Sequence, residues 1–290
     1  MDMPATVTPA PFPGTTGPDI ERRFGSLARL YGSKGAKRIR AAHIVVVGLG
    51  GVGSWAAEAA SRSGVARLTL IDLDHIAESN INRQVHALDS TVGQSKVQAM
   101  RERIAQINPY CQVDCIEEFV DAENWPALLS LDALFDREKL VVIDACDQVK
   151  AKSAMAAWAI KHKVSLISVG AAGGKRLAHR VDIDDLSQVT HDPLLAQMRY
   201  RLRKEHGAAR MGKMGVMCVF SREEVLKPSA QSALNQQTHA FQSPLTAHAA
   251  PLAQTDGTLN CHGYGSIVCV TSTFGMCAAS WALNKIAGVF

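Results

Sequence analysis

Ile44-Val45-Val46-Val47-Gly48-Leu49-Gly50-Gly51-Val52-Gly53 sets four β-branched residues before glycines spaced G-x-G-x-x-G, and an Ala-rich amphipathic segment, Ser54 to Arg62, follows. β-Branched side chains favour extended backbone, so the stretch reads as a buried parallel strand turning sharply into a helix. The glycines let a phosphate approach backbone N–H groups at the positive end of that helix. Asp72 lies 19 residues past Gly53 and closes the next apolar run, Leu68 to Ile71, where an acid grips a ribose hydroxyl in nucleotide-binding βαβ units. The pattern implies a nucleotide without choosing the chemistry, because a dehydrogenase carries the same loop.

Working outward, the segment Asp74 to Gln94 is polar and irregular, too long for a simple connector. A helix is expected from about Ser95 to Ile107, stopped by Asn108-Pro109. Gln112 to Ile116 fits a strand, and Leu140-Val141-Val142-Ile143-Asp144 fits a buried strand ending in an acid. Lys150 to His162 reads as a helix and Val164 to Val169 as the next strand, running into Gly170-Ala-Ala-Gly-Gly174. Strands alternating with helices predict an α/β fold with a doubly wound, mainly parallel, Rossmann-like sheet and ligands at the carboxyl ends of its strands. After Asp184 the alternation fades. Asp192 to Gly207 is helical and basic, Val216 to Phe220 is a short strand, and Lys227 to His262 has no periodicity and is expected to be a mobile loop.

The chain has 290 residues, 47% hydrophobic, enough to bury one large core, and its net charge of +4 permits an anionic partner without demanding one. The seven cysteines form no C-x-x-C pair and read as reduced thiols of a cytoplasmic protein, which argues against a disulfide scaffold or a zinc site. Residues 1–20, rich in Pro, Thr and Gly, read as a disordered leader with no signal-peptide pattern, leaving residues 21–290 as a single domain. Ile267 to Leu283 is apolar but carries Thr271, Ser272, Thr273, Gly275 and Ser280, so a helix buried against the sheet is favoured over a membrane span.

Beyond Asp72 come Asp74, Ser79-Asn-Ile-Asn82-Arg83-Gln84, Gly93-Gln-Ser-Lys96 and Asp144-Ala-Cys-Asp147. A hydride-transfer enzyme has no use for this set, because its cofactor carries the chemistry and the glycine loop holds the pyrophosphate. Arginine, lysine and further acids around a phosphate site suit ATP cleavage, where basic side chains neutralise the triphosphate and an acid holds Mg²⁺.

The motif series, in this order over about Arg22 to Gly174, resembles the adenylation domain shared by ubiquitin-activating enzymes and the bacterial activators of sulfur-carrier proteins. Within that superfamily, several features resemble the tRNA threonylcarbamoyladenosine dehydratases. They are Arg23-Phe-Gly before Tyr31-Gly32, Gly170-Ala-Ala-Gly-Gly174, Asp184-Asp-Leu with Thr190-His-Asp-Pro-Leu194, and Gly215-Val-Met-Cys-Val-Phe-Ser221. The resemblance implies an ATP- and Mg²⁺-dependent enzyme that cyclises a threonylcarbamoyl group on a tRNA adenosine through an acyl-adenylate. Gly48, Gly50, Gly51 and Gly53 would bed the phosphates, Asp72 would take the ribose, Arg83 and Lys96 would hold the phosphates, Asn82 and Gln84 would orient the same site, and Asp147 would coordinate the metal. It also implies a homodimer in which an N-terminal arginine reaches the partner's ATP. The usual Arg-x-x-Arg stands here as Arg23-Phe-Gly-Ser26, so Arg23 and Arg29 are the candidates. A sulfurtransferase-type protein is a further candidate partner.

Other readings stand beside these. Asp144 reads as a structural strand end, and Asp147 is favoured for the metal. Cys218 lies in an apolar run, where a core thiol is the default and a thioester nucleophile the alternative. Arg199, Arg201, Arg203, Lys204 and Lys213 suit phosphate contact with tRNA, against the alternative of an ordinary solvated helix face. For the chain as a whole, the rivals are adenylation of a sulfur-carrier protein's C-terminal carboxylate, an NAD-dependent oxidoreductase, and a non-catalytic scaffold.

Overall fold

A computed structural model of the chain describes residues 17–129, 136–226 and 264–290. Two short-coupled helices open it, α1 (Ile20–Phe24) and α2 (Ser26–Arg40), with a kink at Gly32, whose φ of 69° lies in the left-handed region. There follow β1 (His43–Val47), α3 (Gly53–Arg62), β2 (Arg67–Ile71), α4 (Lys96–Ile107), β3 (Gln112–Ile116), β4 (Leu140–Asp144), α5 (Val149–His162), β5 (Ser165–Val169), β6 (Val181–Asp185), α6 (Pro193–Glu205), β7 (Met217–Ser221) and α7 (Val268–Ala287).

The described strands form one seven-stranded sheet in the order β3-β2-β1-β4-β5-β7-β6, parallel except where β6 runs antiparallel to β7. Successive strand residues point to opposite faces. Ile44 and Val46 therefore join one core with Leu68, Leu70, Ile143 and Ile167 under α2, α3, α4 and α7, while Val45, Val47 and Val142 join another under α5 and α6. Burial on both faces is why these strands are apolar without alternation. β1 is flanked by β2 on one side and β4 on the other, so the chain winds in opposite directions from it, and a crevice opens over the carboxyl ends of β1 and β4.

Most of the expected elements stand where the sequence placed them, the short strand near 216–220 and the buried C-terminal helix included, but one finding modifies the reading. The sheet does not end where alternation fades, because β6 and β7 extend it. β6 is an edge strand with Asp182, Asp184 and Asp185, a composition that blunts edge pairing and hides the strand from a hydrophobic pattern. The apolar C-terminal segment is a buried helix, α7, packed on α3 and α2, and no described helix is long and apolar enough to cross a membrane. Gly275 makes that packing close: a Cβ there would meet the Val52 carbonyl and come within 2.9 Å of Trp55 Cβ. The leader's first 16 residues and the expected loop at 227–262 lie outside the described residues.

Candidate functional site

The crevice is a cleft of about 580 Å³ at the carboxyl ends of β1, β2, β4 and β5. Its floor is the glycine loop. Gly48 has φ 85°, and a Cβ on it would come within 2.9 Å of the Ala145 carbonyl oxygen; a Cβ on Gly53 would overlap the Gly48 carbonyl, while Gly50 faces open space. Backbone thus lines the floor where a phosphate would sit, at the start of α3.

Asp72 is nearly buried at the end of β2. One carboxylate oxygen accepts from Leu49 N–H at 2.5 Å, the other from Asp74 N–H at 2.9 Å. Burial pushes its pKa up, only partly offset by Lys96 and these N–H groups. It both faces the cleft and latches the glycine loop to β2. Lys96, in the first turn of α4, projects its buried ammonium between two acids, 2.6 Å from Asp74 Oδ2 and 3.7 Å from Asp72 Oδ1.

Arg83 follows the 3₁₀ turn Glu78–Asn80. Its guanidinium donates to the Ser79 carbonyl (2.7 Å) and to Asn82 Oδ1 (3.0 Å), and its aliphatic stem crosses Gly51. Trp55 Nε1–H donates to the Arg83 carbonyl at 2.9 Å. Asn82 does not line the cleft; it braces Arg83 and donates to the Ser266 carbonyl ahead of α7. Gln84 does line it. Gln84 Oε1 and Arg83 Nε are buried with no hydrogen-bond partner among the described residues. Unpaired buried polar atoms are costly, and here a polar ligand would satisfy them.

The two acids after β4 separate cleanly. Asp144 is fully buried, whereas Asp147 is exposed on the cleft wall. No cluster of three or more His, Cys, Asp or Glu among the described residues could form a closed metal cage. The arrangement fits Mg²⁺ held by one carboxylate and nucleotide phosphates, the usual habit of that ion, and does not fit a structural zinc centre. Gly170 to Gly173, just past β5, and Leu194 also line the cleft, as do Glu118, Phe119 and Thr271. Sequence reasoning missed these last three, since no spacing links them to the motifs.

Three further sets of candidate residues lie outside the cleft lining. Arg23 lies away from this cleft: its guanidinium donates to the Ile107 carbonyl at 2.7 Å, capping the carboxyl end of α4, beside Arg62 and Arg103 in a separate cavity of about 460 Å³. Arg29 is exposed on α2 with no partner among the described residues, so within one chain neither arginine reaches the cleft. On α6, Arg199 donates to the Leu186 and Val189 carbonyls (2.9 Å each), Arg201 pairs with Glu205, and Arg203 reaches the Ala209 carbonyl, so these arginines are engaged in the fold; Lys204 and Lys213 are exposed. Cys218 is fully buried on β7 and burial pushes its thiol well above the ordinary range, which suits a core residue and not a nucleophile.

Against known proteins, the ThiF family model matches residues 24–289. The tRNA threonylcarbamoyladenosine dehydratase of Escherichia coli is 39% identical over 267 residues, 91% of this chain and 93% of that protein. A crystal structure of the E. coli enzyme, TcdA, in complex with ATP superimposes with a TM-score of 0.76 at 38% identity, covering 93% of this chain and 95% of that one. The molybdopterin-synthase adenylyltransferase of Salmonella typhimurium is 34% identical over 146 residues, 50% of this chain and 55% of that protein. With the model matched from α1 to the end of α7, and with its glycine loop, paired acids and basic residues gathered in one cleft, this chain belongs to the ThiF family.

Proposed function

We propose that the protein is an ATP- and Mg²⁺-dependent dehydratase of threonylcarbamoyladenosine in tRNA, acting in the cytoplasm as a homodimer. The observation that carries this reading is the extent of the likeness: it spans nine tenths of the chain for the E. coli dehydratase, and half for the adenylyltransferase. The cleft supplies what such chemistry needs. In this reading the glycine loop and the start of α3 would bed the phosphates, Lys96 and Arg83, which both line the cleft, would neutralise them, and Asp147 on the same cleft would hold Mg²⁺.

In the proposed sequence, the carboxylate of the threonylcarbamoyl group attacks the α-phosphorus of ATP, and pyrophosphate leaves with the charge that Lys96 and Arg83 stabilise. The carbamoyl nitrogen of the same substrate then attacks the activated carbonyl carbon, loses its proton and expels AMP. Both reacting groups belong to one molecule, so no enzyme nucleophile is required. The buried state of Cys218 agrees with that.

A second reading, adenylation of a sulfur-carrier protein's C-terminus, shares the first step and is favoured by the likeness to the adenylyltransferase. Pyrophosphate release separates the two. The proposal expects release with tRNA bearing threonylcarbamoyladenosine and none with unmodified tRNA or a sulfur-carrier protein; release with the carrier alone overturns it.

A further inference from the structure

Immediately beneath the cleft the chain buries a complete ion pair. Asp144, the last residue of β4, and Lys152, in the first turns of α5, are both 0% exposed, with Lys152 Nζ 3.0 Å from Asp144 Oδ2. Burying such a pair offers little stability, since apolar residues of the same volume serve as well or better. Its bonding pattern shows what else it does. Lys152 Nζ also donates to the Cys146 carbonyl at 3.0 Å and to the Asp144 carbonyl at 3.4 Å. The Asp144 carboxylate accepts from Ser168 Oγ on β5 at 2.6 Å, from Cys146 N–H at 3.3 Å and from the Cys146 thiol at 3.1 Å.

Three of these bonds end on Cys146, the residue before Asp147. The same turn bears on the glycine loop, because Ala145 N–H donates to the Val47 carbonyl at 2.8 Å and the Ala145 backbone packs against Gly48. The turn between β4 and α5 is therefore fixed from below by the pair and from the side by β1.

We propose that Asp144 and Lys152 are positioning residues: their buried pair locks the 145–147 turn so that the Asp147 carboxylate is held at the phosphate-bound metal. The inference rests on Asp147 holding Mg²⁺ as proposed above. It explains why a charged pair occupies a place where the preceding strand residues, Val142 and Ile143, are apolar and equally buried.

The test is a double variant, Asp144→Asn with Lys152→Met, which removes both charges at nearly constant shape, measured beside Asp147→Asn and the parent protein. Three quantities are read: the melting temperature, the affinity of a non-hydrolysable ATP analogue without metal, and Mn²⁺ binding to the analogue complex by electron paramagnetic resonance. The double variant should melt cooperatively near the parent and bind the analogue alone unchanged, with Mn²⁺ affinity lowered about tenfold, as when a group supporting a metal ligand is lost. Normal Mn²⁺ binding in a folded double variant, with Asp147→Asn impaired, overturns the positioning role and leaves the function intact. Normal Mn²⁺ binding in Asp147→Asn overturns the metal assignment and the inference with it. If the double variant does not fold, Ser168→Ala takes its place, because it removes one bond to Asp144 and keeps both charges. Weakened Mn²⁺ binding at an unchanged melting temperature supports the proposal, and unchanged binding overturns it.

Discussion

The Lys96 charge offsets two acids in the cleft, and in the proposed function it would also meet phosphate when nucleotide is bound. Lys96→Ala is expected to lower ATP–pyrophosphate exchange by about 10²–10³, comparable to losing one preorganised donor, while circular dichroism remains native; near-normal exchange would remove Lys96 from the mechanism. Gly48, Asp72, Arg83, Lys96 and Asp147 were legible because each is fixed by a motif whose chemistry demands that residue type. Phe119 and Thr271 were not, since only tertiary packing brings a loop aromatic and a residue of α7 to the same cleft. Asn82 was expected to orient the site; it lies outside the cleft lining and braces Arg83. His86 was not readable at all. It is buried with both ring nitrogens unpartnered among the described residues, and burial, reinforced by Lys96 and Arg103, holds its pKa down at about 4. The unfolded chain takes up a proton below about 6.5, which the folded chain refuses until about 4, so this stability is complete above the first value and lost as pH falls toward the second. The loss amounts to up to about 3 kcal/mol once the pH has fallen through both values. Burial likewise lowers His43 to about 4, with Arg67 contributing. Urea melts at pH 7.5 and 5.0 should therefore show acid destabilisation in the parent and a clearly smaller loss in His86→Leu, which removes the titrating ring where no described hydrogen bond is broken. Equal losses in both would assign the effect to other groups.

At the scale of elements, α6 shows how composition and structure diverge. A run of arginines reads as a phosphate-binding face, yet three of them meet acceptors supplied by the fold: the carbonyls at Leu186 and Val189, the Glu205 carboxylate and the Ala209 carbonyl. Spacing along a helix reveals the Arg201–Glu205 pair, four residues apart, but not carbonyls that arrive from a turn packed beside it. Arg199→Ala is accordingly expected to destabilise the protein by about 1–3 kcal/mol, the cost of leaving buried carbonyls unpaired, with little effect on the salt dependence of tRNA binding. Lys204 and Lys213 remain exposed, and neutralising both should leave stability unchanged while reducing the salt slope by about 0.9 per lost duplex contact. Should Arg199→Ala flatten the slope and the lysine pair not, the interface lies on the other side of α6. β6 was missed for a related reason. Val181-Asp-Ile-Asp-Asp185 is an antiparallel edge whose apolar–acid alternation lasts only four residues before Asp185 breaks it, a far weaker signal than the continuous apolar runs of the buried strands. The buried parallel strands and the helices α3 to α6 were legible because continuous apolar runs and helical periodicity are imposed by the two cores themselves.

Over the whole molecule, the two candidate N-terminal arginines are held differently. Arg23 caps α4 within its own chain, which ties α1 to the body of the protein. Arg29 projects from α2 beside Leu30, which is 74% exposed, and has no partner among the described residues. A free cation next to an exposed leucine suits a surface completed by a second copy. In a two-fold dimer each chain would then offer Arg29 to the other's cleft, making the active site a property of the pair. This gives a complementation experiment. A chain carrying Arg29→Ala retains Lys96, and a chain carrying Lys96→Ala retains Arg29, so each homodimer lacks one element at both sites. In the heterodimer, the cleft of the first chain receives Arg29 from the second and is whole, while the other cleft lacks both groups. Random exchange of equal amounts places half the molecules in heterodimers, each with one of two sites intact, so activity should rise from near zero to about a quarter of the parent's. Mixing Arg23→Ala with Lys96→Ala should give no comparable gain, because Arg23 acts within its own chain. If heterodimers form, as mass spectrometry of the intact complex would establish, and activity does not return, Arg29 does not act across the interface. Recovery only in the Arg23 mixture would instead mean that α1 detaches from α4 to serve the partner.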